Sequence, residues 1–333
     1  MRQKMYIITG ANGHLASTII RYLVKQDCII RGLILPAESN QNSSNVTYYK
    51  GDITKPETLS EIFSDTENYD VYVIHAAGII SIGNEVTPLM YNVNVNGTKN
   101  IISACKKYAV KRLLYVSSVH AIQEGSYMST ISELYEFPKD KVQGGYASTK
   151  AEATQAVMDA ASEGLDAVVV HPSGILGPFD NGSNHITQLV QMYLSGRLPA
   201  GVTGGYDFVD VRDVAKGCIS AINNGRKGEC YILSNRYYTV KDLLEYMRIA
   251  VHGKHKKVCV PLKLAKAAAP VFEKIGEITK TRPLFTKYSL YVMDSNGRFC
   301  HDKATRELGF TPRDMKDTIR DTIVYLKSGK AKL

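Results

Sequence analysis

The stretch TGANGHLA, residues 9–16, decides how the rest of the chain is read. It follows an apolar run at 5–8, a buried first strand, and precedes LASTIIRYLVK, whose Leu15, Ile19, Ile20, Leu23 and Val24 recur at helical spacing. Strand, glycine turn and helix in that order is the context in which glycines signal dinucleotide binding. Gly10 permits a sharp turn, and Gly13 lets backbone approach a pyrophosphate with no Cβ in the way. The helix start then offers free N–H groups and a positive dipole end to the phosphates. Asn12, His14 and Leu15 complete this candidate cofactor turn. The spacing Gly10-x-x-Gly13-x-x-Ala16 is not GxGxxG, so the motif needs support from the rest of the chain.

The bulk properties admit an ordinary enzyme. With 333 residues, 44% hydrophobic and 22% charged, the chain can build one large domain or two smaller ones without metals or disulfides. The net charge of +9 is spread along the sequence. Only Lys254, Lys256 and Lys257 and the tail Lys327, Lys330 and Lys332 cluster, which reads as solvated surface and predicts no nucleic-acid partner. The cysteines at 28, 105, 218, 230, 259 and 300 show no CxxC pair, so no metal site is expected. Buried thiols in a reducing cytoplasm fit them. The first strand starts almost at once, leaving no room for a signal peptide, and no apolar run approaches 18 residues. A cytoplasmic protein without membrane insertion is expected.

Apolar runs at 28–35, 46–49, 71–74, 113–116 and 165–170 read as further strands, and 56–68, 90–108 and 146–162 as helices. This alternation predicts an α/β fold, a Rossmann-type doubly wound parallel sheet. Residues 1–177 form the dinucleotide-binding domain. Residues 178–333 form a smaller, mainly helical substrate lobe, with part of 205–240, including a strand at 231–233, threaded back into the sheet. The carboxyl ends of the strands carry TGANGHLA, HAAG, SSVH and HPSG, the edge where such sheets bind ligands. The amphipathic segment 262–278, interrupted by Pro270, reads as a lid or a packed helix ahead of a membrane-surface helix.

In GGYASTKAEA, Tyr146 and Lys150 stand four apart, so they share a helix face, one unit after a strand ending in Ser-Ser. With these residues in place the chain resembles an extended short-chain dehydrogenase/reductase over nearly its whole length. The matching stretches are TGANGHLA, GDIT, HAAG, NVNGT, YVSS, YASTK, HPSGILGP, FVDVRDVA and KATRELGFTP. Within that family it is most similar to the dihydroflavonol reductase and 3β-hydroxysteroid dehydrogenase branch. The resemblance implies an NAD(P)-dependent oxidoreductase acting on a ketone or secondary alcohol, with Tyr146 as general acid/base. Lys150 and an oxidised nicotinamide would lower the pKa of Tyr146, and Ser118 would hold the substrate oxygen. It also implies a homodimer through the helices near 90–108 and 146–162.

Further cofactor contacts are expected at Asp52 and Ile53, at the small residues Ala76, Ala77 and Gly78, at Asn94, and at His171, Pro172 and Ser173. His75 reads as a buried, hydrogen-bonded histidine. His120, Tyr206 and Phe208 are candidate substrate contacts, though His120 reads equally well as a loop histidine. Strand two ends Ile34-Leu35-Pro36, with neither the acidic residue that selects NAD nor the arginine that selects NADP, so weak discrimination is expected. Two alternatives stand beside the oxidoreductase: a nucleotide-sugar epimerase of the same fold, and a silent dinucleotide sensor that binds a protein partner. The sensor would be expected to lack Tyr146 or Lys150. The epimerase would be expected to carry an arginine before Asp207-Phe208, where Gly205-Tyr206 stand instead.

Overall fold

An unbroken apolar run needs cover on both sides, and the first strand, β1 (Gln3–Thr9), is buried from Met5 onward. The computed structural model describes residues 2–81, 83–126, 129–180, 184–279 and 286–329, without the side chains of His185 and residues 271–279. In it β1 is followed by β2 (Ile29–Ile34), β3 (Val46–Lys50), β4 (Tyr69–His75), β5 (Arg112–Val116), β6 (Ala167–Pro172), β7 (Gly174–Leu176), β8 (Gly201–Val202), β9 (Gly205–Asp210), β10 (Cys230–Leu233), β11 (Arg236–Thr239) and β12 (Cys259–Val260). Seven of these form one sheet in the order β10-β6-β5-β4-β1-β2-β3, with every pair parallel. The order reverses between β1 and β4, and a crevice opens there at the carboxyl ends.

Alternate residues feed two cores. Ile7, Val73, Leu113, Tyr115 and Val169 pack on one face, and Ile8, Ile74, Leu114, Val116 and Val170 on the other. The helices that cover these faces include His14–Leu23, Thr98–Lys107, Gly145–Ser162 and Val211–Asn224.

Three segments depart from expectation. Residues 56–68 form only a 3₁₀ turn, Pro56–Leu59, followed by irregular chain. The guanidinium of buried Arg31 takes the carbonyls of Ile62 and Ser64, and the Ser60 and Ser64 hydroxyls bond back to Glu57 and Glu61. A helix would need those backbone groups. The expected helix at 90–108 starts earlier, at Pro88 under a Thr87 cap, and passes through wide π-type turns at Asn92–Gly97. Beyond residue 177 the described residues form four strands besides the large sheet's return strand, where only the return at 231–233 was expected. They are two to six residues long, too short for a hydrophobic pattern to register. β7, β9 and β11 make a three-stranded sheet, and β8 pairs with β12.

An ionic cluster ties the end of the chain to this lobe. The fully buried Asp210 accepts from the Arg212 guanidinium at 2.7 Å and from the Thr318 hydroxyl at 2.7 Å. Arg212 reaches Asp321 at 2.8 Å, and Arg313 pairs with Asp213 at 2.6 Å. Among the described residues no helix is long and apolar enough to cross a membrane.

Candidate active site

The glycine turn has the shape that a phosphate needs. Gly10 sits at φ +66°, and a Cβ there would stand 2.9 Å from Ala77 Cα, so both its conformation and its packing require glycine. The Gly13 N–H closes the turn on Gly10 O at 2.8 Å. Gly13 then caps helix His14–Leu23 with no side chain on the first-turn amides and no acidic residue beside them. Leu15 is buried, so it can offer a ligand only its main chain. His14 donates from Nε2 to Pro178 O at 2.8 Å, which leaves Nδ1 as a buried acceptor without a partner among the described residues.

Asn12 leads to a residue that the sequence reading missed. Its amide donates to the Glu38 carboxylate at 3.2 Å, and the same oxygen accepts the Leu35 N–H at 3.0 Å. Glu38 thus folds back to the end of strand two. No acidic residue was expected there because strand two itself ends Ile34-Leu35-Pro36, with neither Asp nor Glu. The signal available was a carboxylate in the polar loop directly after them.

The ends of β1 and β4 are wired together. The Thr98 hydroxyl donates to Asn94 O at 2.7 Å, so it accepts from His75 Nε2 at 3.0 Å. His75 Nδ1 therefore accepts from the Thr9 hydroxyl at 2.7 Å, whose oxygen takes the Ala77 N–H at 3.1 Å. Burial depresses the His75 pKa to about 3, helped by Lys150, so it stays neutral. Asn94, in the π-type turn, clasps the main chain of Ile79 through both amide atoms at 2.8 and 3.0 Å and reaches Thr149 at 3.1 Å. It supports the loop after Gly78. A Cβ on Gly78 would lie 3.2 Å from the Asn94 amide oxygen and 3.7 Å from Lys150 Nζ. Ala76 and Ala77 keep this path narrow, both being partly buried.

Ser118, Tyr146 and Lys150 converge at the end of β5, and each is less than 8% exposed. Ser118 is within hydrogen-bonding reach of Tyr146 and holds its phenol's pKa down, but burial outweighs this and pushes it up to about 12. The expected lowering by Lys150 is not seen. Nζ points instead to Val116 O at 2.7 Å and the Tyr115 hydroxyl at 3.2 Å, and burial depresses the amine to about 7. Two desolvated groups each favour their neutral form.

Other expected contacts take supporting places. Asp52 turns its carboxylate onto Thr54, accepting N–H and hydroxyl at 2.9 and 2.8 Å, and Ile53 packs against Gly97. His171 is fully buried, its ring on Phe137 at 5.3 Å and its Nδ1 donating to Ser118 O at 2.9 Å. Its side chain therefore steadies Ser118 from behind, and its Nε2 is buried without a partner among the described residues. Pro172 ends β6, and the Ser173 hydroxyl donates to buried Asp207, whose pKa burial raises to about 6.

Beside Tyr146 lies a cleft of about 150 Å³, lined among others by Val119, Ile122, Glu124, Tyr291 and Phe299. His120 and Tyr206 also line it, their rings stacked at 5.5 Å. The His120 ring meets the Tyr146 ring edge-on at 6.0 Å. Phe208 stands behind Tyr206, packed over Gly174, and does not line the cleft. Among the described residues no three His, Cys, Asp or Glu side chains are grouped as metal ligands.

A comparison with known families matches residues 6–234 to the model described as the NAD dependent epimerase/dehydratase family. The chain belongs to this family. It is an enzyme of the extended short-chain dehydrogenase/reductase type, with a Rossmann fold. A Synechocystis protein, provisionally named a dihydroflavonol 4-reductase, is 26% identical over 97% of this chain and 94% of its own length. The Schizosaccharomyces pombe sterol-4-alpha-carboxylate 3-dehydrogenase erg26 is 26% identical over 85% of each chain. Among solved structures, gox2253 superposes with a TM-score of 0.82 at 27% identity, covering 99% of this chain and 100% of its own.

Proposed function

We propose that the protein is an NAD-dependent oxidoreductase that interconverts a ketone and a secondary alcohol on a ring-bearing, largely apolar substrate. The observation that carries this reading is the meeting of Ser118 and Tyr146 beside a cleft floored by aromatic rings. The bound nicotinamide dinucleotide supplies or accepts the hydride.

The chain's own residues bind, orient and move a proton. The uncapped amides after Gly13 take the phosphates. Lys150 Nζ is poised near Gly78 to hold ribose hydroxyls. The Ser118 hydroxyl orients the substrate oxygen and steadies charge that develops on it. Tyr146, a phenol at neutral pH, donates its proton to that oxygen in reduction and recovers it in oxidation.

The cleft argues against a sugar diphosphate. Its described lining holds one cation, Lys141, against two carboxylates, Glu124 and Asp140. Arg212 is occupied by Asp210 and Asp321, and Arg197 and Arg298 are exposed. Two phosphates would need cationic donors there.

The six free thiols suit a reducing cytoplasm. A homodimer through the helices at 88–107 and 145–162 belongs to the same reading, and Leu89, 65% exposed on the first of them, offers it apolar surface. Sedimentation would test it. The function itself is tested by following cofactor reduction across hydroxysteroids, flavonoids, simple alcohols and nucleotide sugars. Turnover of a ring alcohol is expected. Micromolar binding of a nucleotide sugar to the cofactor-loaded protein would overturn the reading.

A further inference from the structure

The Tyr288 hydroxyl is buried and has no hydrogen-bond partner among the described residues, on a side chain only 4% exposed. Native interiors rarely leave such a donor unmade, and each case calls for a physical explanation. Its position supplies one. Tyr288 sits on helix Lys287–Asp294 of the second lobe, with its ring tilted against His120 at 6.2 Å. That ring occupies space that a side chain at Gly144 would fill, and Gly144, at φ +96°, immediately precedes the helix that carries Tyr146. On its far side Tyr291 stacks at 6.3 Å and donates its own hydroxyl to Glu124 at 3.1 Å. Burial raises the Tyr288 pKa, and the neighbouring Tyr146, Tyr291 and Glu124 raise it further, so it stays a protonated donor.

Resting on the oxidoreductase reading, we infer that Tyr288 is a second anchor for the substrate, and that the substrate is a ring ketone or alcohol carrying a further oxygen. Tyr146 and Ser118 take the reacting oxygen. The free O–H of Tyr288 takes the second one, a carbonyl, hydroxyl or ether acceptor. The stacked rings of His120 and Tyr206 and the face of Phe299 cover the hydrocarbon between. Tyr288 acts by positioning and moves no proton in the reaction. Its loss therefore falls on KM and on binding more than on kcat.

The test uses the full-length, cofactor-loaded protein with 2-decalone and decalones bearing a second carbonyl or hydroxyl at each ring position. Calorimetric Kd and steady-state KM are measured in parallel. Wild type is expected to favour at least one two-oxygen member over 2-decalone by about tenfold, the size of one well-placed neutral hydrogen bond. Tyr288→Phe is expected to erase that ratio. The ratio is taken within each protein, so a general loss of activity cancels. An absent preference in wild type, or one that survives in Tyr288→Phe, overturns the inference. Wild type needs no folded variant to give its half of the answer. If the Kd ratio behaves as stated but neither the decalones nor the alcohols of the cofactor-reduction screen are turned over, the oxidoreductase reading fails while the Tyr288 anchor stands.

Discussion

Lys150 donates from Nζ to the carbonyl oxygen of Val116 at 2.7 Å, so one amine joins helix Gly145–Ser162 to the strand that delivers Ser118. The spacing between the hydroxyls of Ser118 and Tyr146, the pair proposed to hold the substrate oxygen, is therefore held by a third residue. That residue is itself desolvated, and the cost appears in its depressed pKa.

The first prediction concerns the phenol. Tyr146→Phe keeps the ring that meets His120 and removes only the proton donor. Turnover should fall roughly a hundredfold or more, while NADH affinity by fluorescence changes less than about threefold. Turnover near that of wild type would remove Tyr146 from the mechanism.

Lys150 predicts a pH dependence of stability. Its native pKa, about 7, lies below the ordinary 10.5. Between those values the unfolded chain holds a proton that the native protein has released, so this residue makes stability rise with pH across that window. In Lys150→Met the cofactor-free melting temperature should rise less steeply from pH 7 to pH 10, and cofactor binding should weaken. Identical slopes in the two proteins would contradict this account of the site.

The buried histidines predict the opposite edge of the profile. His75 and His171 are fully buried, and burial holds their pKa values down, to about 3 and about 4, below the ordinary 6.5. Their stabilisation is complete above pH 6.5 and is lost as pH falls toward 4. Asp207, raised to about 6, works the other way over part of that range. The net expectation is a melting temperature at pH 4.5 lower than at pH 7 by about 5 °C or more. His75→Gln should flatten that fall.

Glu38 predicts cofactor choice. A carboxylate folded onto Asn12 would accept a ribose hydroxyl and repel a 2′-phosphate. NAD should bind at least tenfold tighter than NADP, and Glu38→Gln should narrow the gap by about tenfold. Equal affinities in wild type would return the protein to the weak discrimination expected from Ile34-Leu35-Pro36 alone.

Local chemistry was legible in the sequence, and long-range chemistry was not. The turn at Gly10 and the Tyr146–Lys150 face each lie within a few residues, where backbone geometry fixes the outcome. The return of β10 to the sheet was also readable, because Tyr231–Leu233 is a buried apolar run. Glu38 escaped notice because its role depends on a loop folding back onto Asn12, 26 residues away. The irregular chain after Leu59 escaped because a single arginine from β2 captures its carbonyls. Tyr288 lies 142 positions beyond Tyr146 and is brought near it only by tertiary packing, both rings lying against His120.

The bond between Asp210 and Thr318 sets an order of events during synthesis. The strand that ends at Asp210 passes beside the cleft, yet the partners of its buried carboxylate and of Arg212 include Thr318 and Asp321, 108 and 109 residues further along. Six of the large sheet's seven strands, β1 to β6, are complete by residue 172 and can pair while translation continues, with β10 added later. The strand beside the cleft cannot be locked until helix Met315–Lys327 has been made. A chain ending at residue 318 would lose Asp321 and most of helix Met315–Lys327, and should accumulate with the large parallel sheet formed and the strand at Gly205–Asp210 loose.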